Sequence, residues 1–472
     1  MATEQSPLLQ QHTEILESTP LHKYERLNEC INKIGMGDYQ WKLFVLCGLG
    51  WAADNMWFQA IAVILPKVKE QWNLTGLEIG LGSSLALIGA MIGALLWGYF
   101  SDKFGRQPAF VFTLIIAAVG GLAAAVSPNK YCFWVSLTVL GCGIGGNLPV
   151  DGALFLEFIP VDNQSLLTLL SAFWPVGQLV ASISGWLIIP SQPDDLGWRL
   201  LMGFTTVLTV AIVVCRVCIF KFYESPKNLI SRGMYREATE IVRILGKKNN
   251  VEILIHEDEF LSDEIEDTCC KDYSPMFAPE LRLTSILVIL IWVLVAVGYN
   301  IFNGFITEFL KQNGGVDGNL SDFETYRNYF LVSIFGVPGS IVAMYVTDSN
   351  LGRRGTMATA TFATAISLFL TTVFRTSFGQ LATSCAVSFF QNVMYGVIYS
   401  YTPEVFPSFI RGKAVGLASA AGRLAGAFSP ILTGKLIEVS VQLPLYISST
   451  LIFTCACAMI FLPIETRGVS AS

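Results

Sequence analysis

Twelve apolar runs, most of them about twenty residues long, constrain this chain more than any other feature of its sequence. A helix of that length crosses a hydrocarbon layer of roughly 30 Å, and the bilayer interior has no water to satisfy unpaired amides, so each run reads as a spanning helix. The runs lie at 41–66, 79–100, 108–126, 131–156, 165–189 and 200–222, then at 283–310, 327–347, 355–374, 378–402, 411–434 and 441–463. Between the sixth and seventh lie about sixty charge-rich residues with no run long enough to cross. Barrel strands would instead alternate polar and apolar residues over segments of about ten. The expectation is an all-α membrane protein: a tail at 1–40, a six-helix bundle at 41–222, a linker with short helices at 223–282, a second bundle at 283–463 and a tail at 464–472. Arg232 to Lys248 is the best helical stretch of the linker.

With 53% hydrophobic and 14% charged residues, the composition excludes a soluble globular chain. Only three histidines occur, none inside a run, which excludes an intramembrane histidine relay. Eleven cysteines show no metal or disulfide spacing, and a net charge of −6 offers no basic face for nucleic acid. No nucleophile–base pair or phosphate loop is present, so neither an enzyme, a cofactor nor a metal site is expected. The acidic stretch Glu257 to Asp267 reads as solvated surface.

Residues 1–40 lack the apolar core of a cleaved signal, so the N-terminus is expected in the cytoplasm. Glu4, Leu8 and Leu9 resemble the acidic dileucine signals that clathrin adaptors read for endolysosomal or vesicle delivery, so such a membrane or the plasma membrane is expected. The loops after spans 2, 8 and 10 carry Lys103 with Arg106, Arg353 with Arg354, and Arg411 with Lys413. Opposite loops hold Lys67, Lys69, Lys130, Arg199 and Arg375, a moderate bias that again puts both termini and the linker in the cytoplasm. The sequons at Asn73 and Asn319 would then face the outside or a lumen, open to glycosylation.

The turn after span 2, Asp102-Lys103-Phe104-Gly105-Arg106, is echoed after span 8 by Asp348 to Arg354, with Gly352, Arg353 and Arg354 at its end. A second echo follows spans 4 and 10, where Glu157-Phe158-Ile159-Pro160 answers Glu404-Val405-Phe406-Pro407, the latter continuing to Arg411. Two echoes in register argue for a duplicated six-helix unit with paired charges at one face. On these motifs, together with Gly197-Trp198-Arg199, Glu224-Ser225-Pro226 and Pro463-Ile464-Glu465-Thr466-Arg467-Gly468, the chain resembles the major facilitator superfamily, in its sugar-porter and organic-ion group. Gly37 to Lys42, Ala52-Ala53-Asp54-Asn55-Met56 and Tyr401 to Pro407 are similar to the synaptic-vesicle-related proteins. The resemblance implies two bundles about a pseudo-two-fold axis along the membrane normal, a cavity lined by spans 1, 4, 7 and 10, and alternating access. It also implies a gate at the cytoplasmic face from Asp102, Arg106, Glu157, Asp348, Arg353, Arg354, Glu404 and Arg411. The family's arginine in span 4 is replaced by Leu137, which excludes coupling through it. Gln164 replaces another arginine, so the charge clamp is expected to be stronger in the second half.

Asp54 is the one acid in a span of otherwise apolar character, near its midpoint. A carboxylate at that depth costs several kcal/mol unless it faces a polar cavity, has a partner or carries a proton. It reads as a coupling or substrate-charge residue, or as an acid capped by a neighbouring helix for packing alone. Asp151 lies four residues past Asn147 on one helical face, either as a second cavity acid or at a bend near Pro149. Arg423 needs a counter-ion, which is one of the acids or the carboxylate of a substrate. Trp57, Trp174, Gln178, Tyr299, Asn303, Gln391, Tyr395 and Tyr399 complete the candidate lining. The expected function is a monomeric secondary transporter of a small organic ion, a cation or zwitterion favoured, coupled to protons through Asp54. An organic anion or a sugar is the alternative substrate. A non-transporting receptor on a vesicle or lysosome is the alternative role.

Overall fold

The computed structural model describes residues 21–160, 163, 166–253, 255, 274–312, 320–347, 351–374, 376–406 and 408–466. Twelve long helices dominate them. The first six are α1 (Asp38–Trp72), α2 (Gly76–Phe104), α3 (Arg106–Ala125), α4 (Lys130–Leu156), α5 (Phe173–Ile188) and α6 (Asp194–Val214). The second six are α7 (Arg282–Asn303), α8 (Asp322–Val346), α9 (Gly352–Val373), α10 (Ser377–Glu404), α11 (Ser408–Val439) and α12 (Leu443–Ile460). Ten of them contain stretches long and apolar enough to cross a membrane. The other two are α1 and α8, whose 35 and 25 residues suffice in length. Their composition is diluted by Asp54, Asn55 and Gln59 in the middle of α1, and by Asp322, Glu324, Arg327 and Asn328 at the start of α8.

The packing repeats with a period of six helices. In the first half α2 and α3 pack on α4, α1 on α5 and α3 on α6; in the second α8 and α9 pack on α10, α7 on α11 and α9 on α12. The two halves meet along α2 with α11 and α5 with α8, contacts that the same period exchanges. This is the pseudo-two-fold arrangement the duplicated motifs imply. Local signals repeat too: α2 and α8 both open on a capping box, Thr75 with Glu78 and Ser321 with Glu324, each hydroxyl accepting from the amide three residues on. Small residues set the spacing of α2 and α4. A Cβ at Gly89, Gly93, Gly141 or Gly145 would stand 2.0–2.2 Å from a carbonyl oxygen of the facing helix, so only glycine permits that approach.

Outside the bundles, a helix at Leu21–Ile34 packs with Pro226–Ser231 and Tyr235–Lys248 around Leu27, Ile31, Leu229, Val242 and Leu245. Polarity alone leaves the tail without structure, yet Leu27, Cys30, Ile31 and Ile34 give it an apolar stripe at helical spacing. We call this side of the molecule the linker face. Residues 257–267 lie outside the described residues.

Candidate functional site

Between the halves lies a cavity of about 190 Å³. From the first half Trp51, Asp54 and Asn55 of α1 and Trp174 of α5 line it. From the second come Trp292 and Tyr299 of α7, Tyr395 and Tyr399 of α10, and Arg423 of α11. Asp54 is 1% exposed, and its Oδ1 accepts a 3.1 Å hydrogen bond from Asn147 Nδ2. Among the described residues its Oδ2 has no partner, and neither has the indole Nε1 of Trp51, one turn earlier on the same helix. An acceptor and a donor thus stand unfilled at the wall of a cavity. Opposite them, Arg423 Nη1 donates to the carbonyls of Gly145 (3.0 Å) and Ala90 (3.4 Å), across the boundary between halves. No ion pair joins Arg423 to an acid among the described residues.

The aromatic residues form a box. Tyr299 and Tyr395 meet edge to face at 5.3 Å, Trp292 and Tyr399 likewise at 5.4 Å, and Tyr395 stacks on Tyr399 at 6.3 Å. Such walls suit a flat ring or a cation.

Six candidates stand elsewhere than expected: Asp151, Trp57, Asn147, Gln178, Asn303 and Gln391. Asp151 is not a cavity acid: it is fully buried behind α1 and its Oδ2 accepts from Arg216 Nη2 at 2.6 Å. Arg216 sits in the π-helical turn Cys215–Ile219 that continues α6, and it is not among the candidates read from the sequence. A lone arginine followed by further apolar residues in Val213-Val214-Cys215-Arg216-Val217-Cys218-Ile219 is the signal that could have found it. Trp57 is buried inside the first bundle, where its Nε1 donates to Thr209 Oγ1 at 3.0 Å. Asn147 touches the site only through Asp54. Gln178 is also buried away from the cavity, beside Tyr329.

Asn303 lines a second cavity of about 40 Å³, room for a few water molecules only, and donates to Gln391 at 3.1 Å. Gln59 forms another wall of this second cavity. Its Nε2 donates to Tyr299 at 3.1 Å, and its Oε1 accepts from Tyr329, so one side chain of the first half bonds two tyrosines of the second.

At the linker face the charge clusters clamp each half to itself. Arg106 Nη2 meets Glu157 Oε1 at 3.0 Å, and Arg353 Nε meets Glu404 Oε2 at 2.8 Å. Glu224 accepts from the amides of Arg106 (2.7 Å) and Gln107 (3.1 Å), while Glu465 accepts from those of Arg353 (2.8 Å) and Arg354 (3.1 Å). Each carboxylate closes the positive N-terminus of a helix. Among the described residues the two clamps match, Glu224 and Glu465 playing one part in both; Gln164 and Asp348, on which the expected imbalance turns, lie outside the described residues. Arg354 Nη1 donates to Leu462 O at 2.7 Å. Asp348 and the side chains of Asp102 and Arg411 lie outside the described residues, as do Glu4, Leu8, Leu9 and Asn319.

At the opposite face three ion pairs cross between halves, Lys67–Asp322, Lys69–Glu308 at 2.5 Å and Lys311–Glu70 at 2.5 Å, while Lys311–Asp322 at 3.2 Å and Lys130–Glu78 stay within one. Asn73 is exposed in the turn between α1 and α2 on this side.

The sequence profile of the family described as "Sugar (and other) transporter" matches residues 35–471. The chain belongs to this family of the major facilitator superfamily, and it is a transporter, not an enzyme. It is 30% identical to the niacin transporter NiaP of Acinetobacter baylyi, over 93% of this chain and 97% of the relative. It is 28% identical to the synaptic vesicle 2-related protein of Pongo abelii, over 94% of this chain and 81% of that one. Among solved structures, the E. coli xylose transporter XylE in a partially occluded inward open conformation matches with a TM-score of 0.73. It covers 92% of this chain and 99% of its own at 19% identity, a likeness of fold.

Proposed function

We propose that this chain is a secondary transporter that carries a small organic ion through the bilayer by alternating access, coupled to protons at Asp54. The observation that carries the reading is the unfilled Oδ2 of a buried acid at the wall of a cavity formed by both halves. A carboxylate held there is relieved by taking up a proton or a cationic group, and the relief differs between two arrangements of the halves. The substrate is a small zwitterion with a flat ring. Its cationic or N–H end meets Asp54, its carboxylate meets Arg423, and its ring lies in the tyrosine and tryptophan box. A heteroaromatic carboxylate taken up with a proton is the second form of this reading, favoured by Arg423 and by the similarity to a niacin transporter.

The arginine-rich loops on the linker face support placing that face and both termini in the cytoplasm. Asn73 then stands on the lumenal or outer side, available to glycosylation, and a vesicle or endolysosomal membrane fits the dileucine signal. One chain supplies the whole cavity, so a monomer suffices.

The test is uptake into proteoliposomes under an imposed pH gradient, with pyridine carboxylates, other zwitterions, organic cations and sugars compared. Concentrative uptake of a zwitterion or ring carboxylate is expected, falling at least 100-fold in driven uptake with Asp54→Asn while exchange across equal pH survives. Driven uptake that is unchanged in Asp54→Asn overturns the coupling.

A further inference from the structure

Behind the cavity, away from any ligand, stands a buried cluster that the transport reading does not use. Arg216 and Asp151 are both fully buried, yet the pair is incompletely satisfied: Asp151 Oδ1 and Arg216 Nε have no hydrogen-bond partner among the described residues. Apolar residues of similar volume commonly replace a buried pair at no loss of stability, so stability alone gives poor reason for this one. Its other contacts indicate what it does. Arg216 donates through Nη1 to Phe110 O and, at 3.3 Å, to Asn147 Oδ1, and through Nη2 to Leu46 O at 3.2 Å. Its guanidinium lies 3.5 Å from the Phe110 ring centre. The α1 backbone can approach this closely because residue 50 is glycine; a Cβ there would stand 2.1 Å from Asp151 Oδ2 and 2.2 Å from Arg216 Nη2.

A guanidinium has five donors and no acceptor. The atom of Asn147 that faces it must therefore be the amide oxygen, which also accepts from Thr113 Oγ1 at 2.9 Å. The two ends of an amide being opposite, Nδ2 is turned to α1, where it donates to Gly50 O at 3.3 Å and to Asp54 Oδ1 at 3.1 Å. The orientation of one amide is thus imposed by a cation two side chains away from the cavity.

We propose that Arg216, held by Asp151, is a positioning residue for the coupling proton: it locks the Asn147 amide so that Asp54 always receives a donor on Oδ1 and exchanges its proton only at Oδ2, in the cavity. This rests on the coupling role proposed for Asp54. The groups around Asp54 are Asn147 and Asp151 of α4, Arg216 beyond α6, and Arg423 and Tyr399 across the cavity. Because the pair is neutral as a whole, removing both members leaves the net charge unchanged and chiefly frees the amide.

The experiment follows the protonated-carboxyl infrared band that disappears in Asp54→Asn, titrated in purified protein without any substrate. In Arg216→Met/Asp151→Leu, Asn147 is free to turn its oxygen to Asp54, which favours the protonated acid. The expected result is an upward shift of the midpoint by about one pH unit, the size of one hydrogen bond to a charged acceptor. Asn147→Leu, which deletes the donor, sets the full shift, and Gly50→Ala, which pushes the pair aside without changing charge, gives a smaller one in the same direction. A midpoint in the pair variant equal to wild type, with Asn147→Leu shifted, overturns the proposal. If the pair variant does not fold, the same comparison is made between Gly50→Ala and wild type, with the same two outcomes. Because the band is read without transport, the titration does not depend on uptake by any variant, and failure of the transport reading is seen separately in proteoliposomes.

Discussion

The two faces of this molecule use the same chemistry, lysine or arginine against carboxylate, in opposite topologies. At the linker face Arg106 with Glu157 and Arg353 with Glu404 stay within one half each. At the opposite face Lys67, Lys69 and Glu70 of the first half interlock with Glu308, Lys311 and Asp322 of the second. The contacts between the halves made by Arg423, Gln59, Thr307 and the three crossing ion pairs lie at the level of Arg423 or further toward that opposite face. The difference separates two tasks: pairs inside a half hold a rigid body together, whereas pairs between halves hold one arrangement of two rigid bodies. Substitutions at the two faces are therefore expected to fail differently.

The largest effect is expected from Asp322→Asn. It takes from the Lys67 ammonium, 4% exposed, a carboxylate that stands nearer than Glu70 at 3.6 Å. A partner lost from a fully buried pair costs 3–5 kcal/mol; Asp322 is 28% exposed, which reduces the cost to about 2 kcal/mol, or roughly 30-fold in the balance between arrangements. Spin labels at Asn73 and Ser440, one on each half, should move apart, while the melting temperature changes little. Should the melting temperature drop and the distance stay fixed, the division of tasks is wrong.

Arg106→Gln is expected to do the reverse. Its partner Glu157 is 12% exposed, so about 1 kcal/mol of stability is lost, read as a lower melting temperature with the label distance unaltered.

The smallest effect concerns pH. Burial pushes the Asp322 carboxyl up, but Lys67 and Lys311 outweigh it and hold the group below the usual carboxylate range. Burial likewise pushes Lys311 down, and Glu70 and Asp322 outweigh it and hold the ammonium above its usual range. A depressed acid contributes above its ordinary value and loses that contribution as pH falls through its value in the closed arrangement. A raised base contributes below its ordinary value and loses it as pH rises through its own. The contribution of the crossing pairs Lys67–Asp322 and Lys311–Glu70 should therefore be constant from about pH 5 to 9, with the labels separating only below about pH 4. A separation that already changes between pH 7 and 5 would show that other groups control this face.

How much of this could be read from the chain varies with distance in sequence. The capping boxes at Thr75 and Ser321 and the duplicated turns are local, and they repeat because each half repeats. Asp54 is conspicuous because an apolar span offers nothing to hide one acid. That Asp151 shares a face with Asn147 follows from helical spacing, but which neighbour that face meets does not, and the face meets Arg216 and not the cavity. Trp57 and Gln178 are misplaced for the same reason: a polar or aromatic residue in a span signals a partner without naming it. Glu224 and Glu465 are visible as motif residues, while their work, closing α3 and α9, depends on helices about 110 residues away.

The sequence by itself determined the helices of the two bundles, their number, the duplication and the presence of midplane charge. Those follow from hydropathy and backbone hydrogen bonding within a bilayer, which act over one helix at a time. Only the tertiary structure decided which charges meet: Asp54 with Asn147, Asp151 with Arg216, Arg423 with the carbonyls of the other half. A helix presents several faces, its rotation is fixed by close packing of small residues such as Gly141 and Gly145 against Ala86 and Ala90, and that fit exists only once the helices are together.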